Sequence, residues 1–195
     1  MSDATATNIA NLNAMNRDLF VAALGGIFEH SPWIAEDAWE ARPFADLATL
    51  HAAMVRAMRA GSEAKKLALL RAHPELAGRE AREGRLTGDS VGEQQSAGLD
   101  QLEGLEVRQL GELNAAYRAK FGFPFIIAVR ARTKHEIFSE FARRLRRTVV
   151  QEHEAALAEV ETIARIRLER LFGLPQEESD GLGGLREVRS AFGIG

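Results

Sequence analysis

The hydrophobic positions of this chain recur mainly at the three- and four-residue spacing of amphipathic helices. The first apolar stripe predicts a helix over about 13–28, and the last one predicts a helix over about 149–172. That last stripe lies on one helix face: Leu157, Val160, Ile163, Ala164, Leu168 and Leu171. The sequence shows no convincing alternation of apolar and polar residues with a period of two, the pattern that would indicate a strand. We therefore expect an all-α protein, a single-domain helical bundle of about eight helices.

One strongly apolar run, residues 123–129, departs from the helical pattern. Gly122 before it is well placed to end a helix in the left-handed conformation. Thr133 and Glu136 after it form a capping-box pattern that predicts the start of the next helix. An extended segment among helices has no neighbouring strand, so its backbone groups need other partners, and a ligand could supply them. The run is therefore a buried strand or an extended segment.

Glycine and proline mark the end of the predicted domain. Gly173 and Pro175 stop the last helix, and five glycines with weak periodicity fall within residues 176–195. We therefore expect a helical domain over residues 1–172 and a Gly-rich C-terminal tail over residues 173–195.

Composition narrows the function classes. The 195 residues include no Cys, which excludes disulfides, thiol nucleophiles and Cys-based metal sites. The formal charge of −3 argues against a nucleic-acid partner, and we interpret the arginines within residues 143–147 as a solvated helix face. No apolar run approaches the roughly 20 residues of a membrane helix, and the N-terminus lacks a signal-peptide pattern. These features predict a cytoplasmic protein with no membrane or nucleic-acid partner.

Histidine is the first candidate for chemistry. None of the five histidines forms a HExxH motif or an i, i+4 pair with another, so we expect no metal site. His73 differs from the others because Pro74 follows it and biases its backbone away from the helical region. An imidazole held at a loop edge could act as a general acid or base. The plainer interpretation is a histidine that only ends a helix.

The sequence Ser90-x-x-Glu93 also has two interpretations. It matches the capping box, in which the serine caps the helix and the glutamate bonds back to the serine amide. Alternatively, these groups and the free amides of a helix start could face an anionic or amide-rich ligand. Gly92 is a poor helix former in this first turn, which indicates close approach of another group. Nucleotide-binding and serine-hydrolase signatures are absent.

Six segments together resemble the 2-oxo-4-hydroxy-4-carboxy-5-ureidoimidazoline (OHCU) decarboxylase family. The resemblance covers about residues 12–172, and the segments occur in this order: Phe28–Trp33, Arg42–Phe44, His73–Gly78, Ser90–Leu99, Leu113–Phe125 and Val129–Arg130. It implies a helical domain, usually a homodimer, that converts OHCU to (S)-allantoin and carbon dioxide in urate breakdown. It also implies that no metal or organic cofactor takes part, and it places the apolar non-helical segment of residues 123–129 at the active site.

The resemblance assigns roles to particular residues. His73 is the catalytic general acid/base, and Glu93 could bias its charge state and accept hydrogen bonds from the substrate. The substrate-binding residues are Pro74, Ser90, Val91, Gly92, Glu93, Gln94, Phe125, Ile126, Ile127, Ala128, Val129 and Arg167. Arg167 is the best match to the family's late arginine, and three other arginines remain alternatives: Arg130, Arg165 and Arg170.

The chemistry of the substrate fits this assignment. Loss of carbon dioxide leaves electrons that the C=N and C=O system of the ring can delocalise, so no cofactor is needed as an electron sink. Other interpretations stay open: a related enzyme that acts on another purine-derived ureide, or a helical binding protein without activity. A nucleic-acid binder that uses residues 143–147 is disfavoured by the net charge.

Overall fold

The computed structural model describes residues 8–78, 81, 83–84, 86–96, 98–99, 102–130 and 132–174. Within these ranges the chain forms nine α-helices and no strand, so the all-α prediction is confirmed, with one helix more than the eight expected. A 3-10 turn, Trp39–Ala41, follows the third helix. The helices are α1 (Ile9–Ala14), α2 (Arg17–Leu24), α3 (Trp33–Ala38), α4 (Leu47–Ala60), α5 (Glu63–Ala72), α6 (Gly88–Ser96), α7 (Leu105–Phe121), α8 (Lys134–Arg144) and α9 (Val149–Leu171).

The N-terminal stretch forms two short helices, so the prediction of a single helix over 13–28 is wrong. Met15 leaves the helical conformation after α1, with ψ at 144°. The side chain of Asn16 then accepts a hydrogen bond from the Leu19 amide at 2.9 Å and starts α2. A capping asparagine just ahead of the apolar stripe therefore sets the start of this helix.

Helix α9 is the scaffold of the domain and contacts α4, α5 and α7. Its buried face contains five of the six residues of the predicted stripe, all except Leu171: Leu157, Val160, Ile163, Ala164 and Leu168. Ala156 is buried with them. The same face also buries two charged residues, Glu152 and Arg167. Because a buried charge without a partner is strongly unfavourable, both residues need ionic partners from other elements.

The arginines within residues 143–147 do not form a uniformly solvated face, so that interpretation is wrong for Arg144. Arg143 is exposed and pairs with Glu140 one turn earlier. Arg144 is only 1% exposed and forms an ion pair with the buried Glu152. The periodicity of α8 explains the difference, because Arg144 continues the face that buries Ile137 and Phe141.

The apolar segment is non-helical, as the sequence predicts. Gly122 ends α7 with φ at 78°, in the expected left-handed conformation. Residues 124–129 then run without a helix, turn or bend, and they are buried. Thr133 and Glu136 start α8 with the predicted capping box, in which each side chain accepts a hydrogen bond from the amide of the other residue.

The structure describes only Gly173 and Leu174 of the predicted C-terminal tail, and the rest of that prediction lies outside the described residues. The division at residue 172 therefore stays a prediction. In the part of the chain that the structure describes, no helix has both the length and the apolar character needed to cross a membrane.

Candidate active site

His73 lies where α5 ends and the loop starting with Pro74 begins. Its backbone is extended, with φ at −70° and ψ at 138°, as steric conflict with the following proline favours. The residue is 7% exposed, and its Nδ1 lies 2.9 Å from the carbonyl oxygen of Leu69. The expected position of this imidazole, at a helix-to-loop junction, is confirmed.

This contact fixes the tautomer of neutral His73. A carbonyl oxygen only accepts hydrogen bonds, so Nδ1 carries the proton and Nε2 keeps a lone pair. Burial lowers the pKa of His73 to about 4, although the Leu69 hydrogen bond and the charge of Glu29 act in the opposite direction. The imidazole is therefore neutral at pH 7 and offers Nε2 as a base.

One small cavity brings together His73 and most of the other predicted site residues. It is lined by His73, Pro74, Glu93, Gln94, Phe125, Ile126, Ile127 and Val129, together with Leu76 and Ile163. Its volume is about 30 Å³, which is roughly the space of one water molecule. The chemistry-bearing groups and the apolar segment thus share one small site.

Arg167 lies behind this cavity and links its acidic residues. It is 3% exposed, and each of its five N–H groups has an acceptor. Nε and Nη2 donate to the two carboxylate oxygens of Glu93 at 2.8 and 3.0 Å. Nη1 donates to Glu29 at 2.8 Å and to the Ile27 carbonyl at 3.4 Å, and Nη2 also donates to Ser90 at 3.3 Å. This guanidinium holds the protein's own carboxylates in place.

Glu29 is the site residue that the sequence prediction missed. It lies in the turn after α2 and is buried, with Oε2 2.8 Å from Nη1 of Arg167. Burial tends to raise the pKa of Glu29, but the charge and the hydrogen bond of Arg167 outweigh it, so the pKa lies below its ordinary value. Glu29 is thus ionised near His73. Glu29 belongs to the segment Phe28–Trp33, which contributes to the family resemblance, but the resemblance gave this segment no role in the site.

The capping-box interpretation of Ser90 and Glu93 is wrong. Helix α6 begins at Gly88, ahead of Ser90, and the hydroxyl of Thr87 accepts a hydrogen bond from the Ser90 amide at 3.3 Å. The Ser90 hydroxyl donates to Glu29 at 3.3 Å and accepts from Arg167. Both residues therefore lie inside the helix and face the arginine, so they belong to the site and not to a cap.

Gln94 fixes the loop that follows His73. Its Oε1 accepts from the amide of Ala77 at 2.8 Å, and its Nε2 donates to the carbonyl of Glu75 at 3.4 Å. Asn114 of α7 supports the same loop by donating to the Leu76 carbonyl at 3.1 Å. Gln94 thus has a structural task as well as a place in the cavity wall.

Three other predicted substrate-binding residues lie away from the cavity. The Ala128 amide donates to Glu159 at 2.8 Å, on the far edge of the apolar segment. Val91 lines a larger groove of about 720 Å³ on the other side of Gln94. Gly92 is exposed. Within the described residues, a Cβ added at Gly92 would have one neighbouring atom within 4 Å, Nη1 of Arg170 at 3.8 Å. The close approach expected at Gly92 is therefore not found.

The positions of the four candidate arginines show which of them belongs to the site. Arg165 and Arg170 lie on the outer face of α9, where they pair with Glu169 and Asp89. Arg130 is half-buried directly after the apolar segment and does not line the cavity. Arg167 is the late arginine that reaches Glu93. Among the described residues, no group of three or more His, Cys, Asp or Glu is placed to hold a metal ion.

A helical domain that encloses a neutral histidine, an oriented carboxylate and an apolar main-chain segment has the site of a small-molecule acid–base enzyme. The model of the OHCU decarboxylase family matches residues 13–169. The chain belongs to this family, which confirms the resemblance seen in the motifs and the predicted enzyme class, a carboxy-lyase.

Relatives and solved structures agree with this membership. The 2-oxo-4-hydroxy-4-carboxy-5-ureidoimidazoline decarboxylase of Haloferax volcanii is 42% identical over 164 residues, which span 84% of this chain and 95% of that protein. A crystal structure of (S)-allantoin synthase matches with a TM-score of 0.67 and 31% identity over 85% of this chain and 54% of that one. A crystal structure of OHCU decarboxylase in the presence of (S)-allantoin has a TM-score of 0.60 and 22% identity, over 80% of this chain and 98% of that one, and shows the shared fold.

Proposed function

We propose that this protein decarboxylates OHCU to (S)-allantoin in urate breakdown, with His73 as general acid/base and without a cofactor. One observation carries the proposal: in a chain of the OHCU decarboxylase family, a single cavity joins His73, Glu93, Gln94 and the apolar segment. These are the groups that a small, flat, amide-rich acid requires, because they combine a base, hydrogen-bonding side chains and an apolar wall.

The substrate's own atoms take up the electrons. In OHCU, C4 carries the hydroxyl and the carboxylate, and C5 carries the ureido group and the ring C=N bond. When the bond from C4 to the carboxylate breaks, carbon dioxide leaves and the electron pair forms a C4=C5 bond. The former C=N pair moves to the ring nitrogen, which takes a proton from solvent. The ring is thus the electron sink, the role that cofactors fill in many decarboxylations.

His73 then completes the reaction by moving one proton. Its Nε2 takes the proton of the C4 hydroxyl as that carbon becomes a carbonyl, and it returns a proton to C5 as the C4=C5 pair forms the new C–H bond. A histidine with a pKa of about 4 releases a proton readily once it has gained one. Delivery from one side of the ring gives a single enantiomer, which accounts for (S)-allantoin as the product.

Glu93 and Arg167 take different parts in this proposal. Glu93 lines the cavity and accepts hydrogen bonds from the hydroxyl or the ureido group of the substrate. Arg167 has all its N–H groups on Glu93, Glu29, Ser90 and Ile27, so it acts on the substrate through Glu93. It is a positioning residue, whereas the family resemblance alone implied a substrate contact.

Two broader expectations belong to the same proposal. The family resemblance implies a homodimer, so light scattering coupled to size exclusion should give about twice the chain mass of 21.4 kDa. A monomer at working concentrations contradicts that expectation. The sequence also predicts a cytoplasmic location, which fractionation of cells that produce the full chain would test.

The experiment that tests the activity supplies the unstable substrate as it forms. Urate is treated with a urate oxidase and a hydroxyisourate hydrolase, this protein is added, and circular dichroism follows the appearance of optically active allantoin. We expect a rate that increases with protein concentration and a product of one hand. Racemic product formed at the spontaneous rate would contradict the proposal.

A further inference from the structure

One edge of the apolar segment is held by three charged side chains. Arg144 donates from Nη1 to the Ile126 carbonyl at 2.7 Å. Glu159 accepts from the Ala128 amide at 2.8 Å, and Arg132 donates to the Ala128 carbonyl at 3.0 Å. These contacts replace the neighbouring strand that the segment lacks, and they come from α9, from α8 and from the turn before α8.

The groups that hold this edge are themselves held in the interior. Arg144 pairs with Glu152 at 2.5 Å, and both are almost completely buried, while the Tyr117 hydroxyl donates to the same carboxylate. The Arg144 guanidinium also lies 4.6 Å from the centre of the Phe125 ring. A buried ion pair is a weak source of stability compared with well-packed apolar residues, but it fixes geometry tightly. This network therefore fits a positioning task.

The geometry of an extended chain determines what this arrangement leaves for a ligand. The N–H and C=O of one residue point to the same edge, and successive residues alternate between edges. Ile126 and Ala128 are bound on one edge, so the main chain of Ile127 faces the other. Across the described part of the chain, the N–H and C=O of Ile127 have no hydrogen-bond partner. Ile127 also lines the cavity that contains His73.

We propose that Glu159 and Arg144 are positioning residues for substrate recognition, which they serve by fixing the edge at Ile126 and Ala128 so that Ile127 presents its main chain to the ligand. The inference rests on the proposed function. The ring of OHCU offers a carbonyl next to an N–H, and a main-chain N–H and C=O of one residue can pair with these two groups. Glu159 and Arg144 touch no reacting atom and act through Ile127.

Glu159 is the residue to test, because its side chain is 18% exposed and its loss leaves no fully buried charge alone. Glu159→Ala removes the acceptor for the Ala128 amide. Glu159→Gln keeps an oxygen acceptor at the same place. Glu161→Ala is a matched control two residues further along α9, where the carboxylate pairs with Arg59 on another surface and has a side-chain exposure of 25%.

The expected result is a change in KM with little change in kcat, because main-chain contacts with the ring bind substrate and transition state alike. Glu159→Ala should raise KM for OHCU about tenfold or more, Glu159→Gln should restore most of the loss, and Glu161→Ala should match the wild type. Amide hydrogen exchange in a peptide covering residues 124–130 should be faster in Glu159→Ala than in Glu161→Ala.

The outcomes separate this inference from the proposed function. If the wild type does not turn over OHCU, the proposed function fails, and the exchange measurement still tests whether Glu159 holds the segment. If the wild type is active and Glu159→Ala has the KM of Glu161→Ala, the inference is overturned. It is also overturned if Glu159→Ala and Glu159→Gln lose kcat equally with unchanged KM, since that result places Glu159 in the chemistry itself.

Discussion

Arg167 holds Glu93 by both carboxylate oxygens, through N···O distances of 2.8 and 3.0 Å. The same guanidinium binds Glu29 at 2.8 Å, so two negative charges surround one positive charge beside His73. This group of three carries a net charge of −1 when its members are ionised. The charge of Glu29 favours a proton on His73, whereas burial and the charge of Arg167 oppose it. Such a balance suits a histidine that gains a proton only during turnover.

Replacement of His73 tests the general acid/base assignment. His73→Asn keeps a side chain that can donate to the Leu69 carbonyl but has no basic nitrogen, so kcat should fall about 10²- to 10⁴-fold with a smaller change in KM. The measurement is the initial decay of freshly made OHCU in a stopped-flow absorbance assay. His51→Asn is the control, because His51 bonds the Glu161 carbonyl away from the cavity. Near wild-type turnover by His73→Asn would refute the assignment.

The low pKa of His73 predicts an unusual pH profile. Nε2 must be unprotonated to act as a base, so kcat/KM should stay level down to about pH 5 and fall around pH 4. An unperturbed histidine would cause the decline near pH 6.5. Rates measured in buffers of constant ionic strength between pH 3.5 and 8 distinguish the two. A midpoint near 6.5 in a protein that remains folded would contradict the buried, neutral state.

The same pKa links stability to pH. The unfolded chain binds a proton at His73 below about pH 6.5, whereas the folded protein does so only near pH 4, so the free energy of unfolding falls as the pH drops through this window. The loss should approach about 3 kcal/mol and should be missing from His73→Asn. Urea unfolding of both proteins at pH 7 and pH 4.5 gives the difference, because other groups titrate alike in both. If the free energies of unfolding of the wild type and His73→Asn differ by the same amount at both pH values, the prediction is contradicted.

Glu29 and Glu93 should act as a unit through Arg167. Glu29→Gln removes a charge that raises the pKa of His73, so the low-pH decline in rate should move to lower pH and kcat should fall about tenfold. In the double variant Glu29→Gln/Glu93→Gln, the losses in kcat/KM of the two single variants should not add. The coupling energy between them should exceed about 0.5 kcal/mol. The measurement is a double-mutant cycle on kcat/KM, and strict additivity would show that the shared arginine does not couple them.

Much of this fold follows from helical periodicity, capping motifs and glycine positions. The capping box at Thr133 and the left-handed Gly122 are local features, so the sequence alone predicts them. The predicted helix does not show the division between α1 and α2, because the apolar stripe begins only at Leu19 and capping by Asn16 decides the boundary. Local chemistry of this kind outweighs periodicity within a single turn.

The charged residues of the interior also follow the helical periodicity. Glu152 and Arg167 share the buried face of α9 with Ala156, Val160 and Ile163, at steps of three or four residues. A charge on an apolar face indicates a buried ion pair, but it does not name the other member of the pair. Glu29 lies 138 residues from Arg167, and only the packed fold brings them together.

Gly111 within α7 and Gly122 just after its end should respond to alanine with opposite signs. Gly122→Ala places a side chain at φ 78°, which should cost about 1–2 kcal/mol, although the added methyl group would meet Arg71 at an ordinary 3.7 Å. Gly111→Ala lies within α7, with no described atom within 4 Å, and should stabilise by about 0.5–1 kcal/mol. Thermal and urea unfolding measure both. Stabilisation by Gly122→Ala would contradict the left-handed end of α7.

Arg167→Lys tests whether orientation, as opposed to charge alone, makes the arginine necessary. A lysine keeps the positive charge but cannot bind both oxygens of Glu93 while it also binds Glu29, so kcat/KM should fall about 10- to 100-fold. Arg165→Lys is the matched control on the same helix, where the arginine is exposed and pairs with Glu169. The expected loss lies in kcat and KM together, because Glu93 loses its fixed direction toward the cavity. Circular dichroism and unfolding temperature establish that both variants fold. If Arg167→Lys retains the activity of Arg165→Lys, charge alone suffices, and the five-bond arrangement around the guanidinium has no role in turnover.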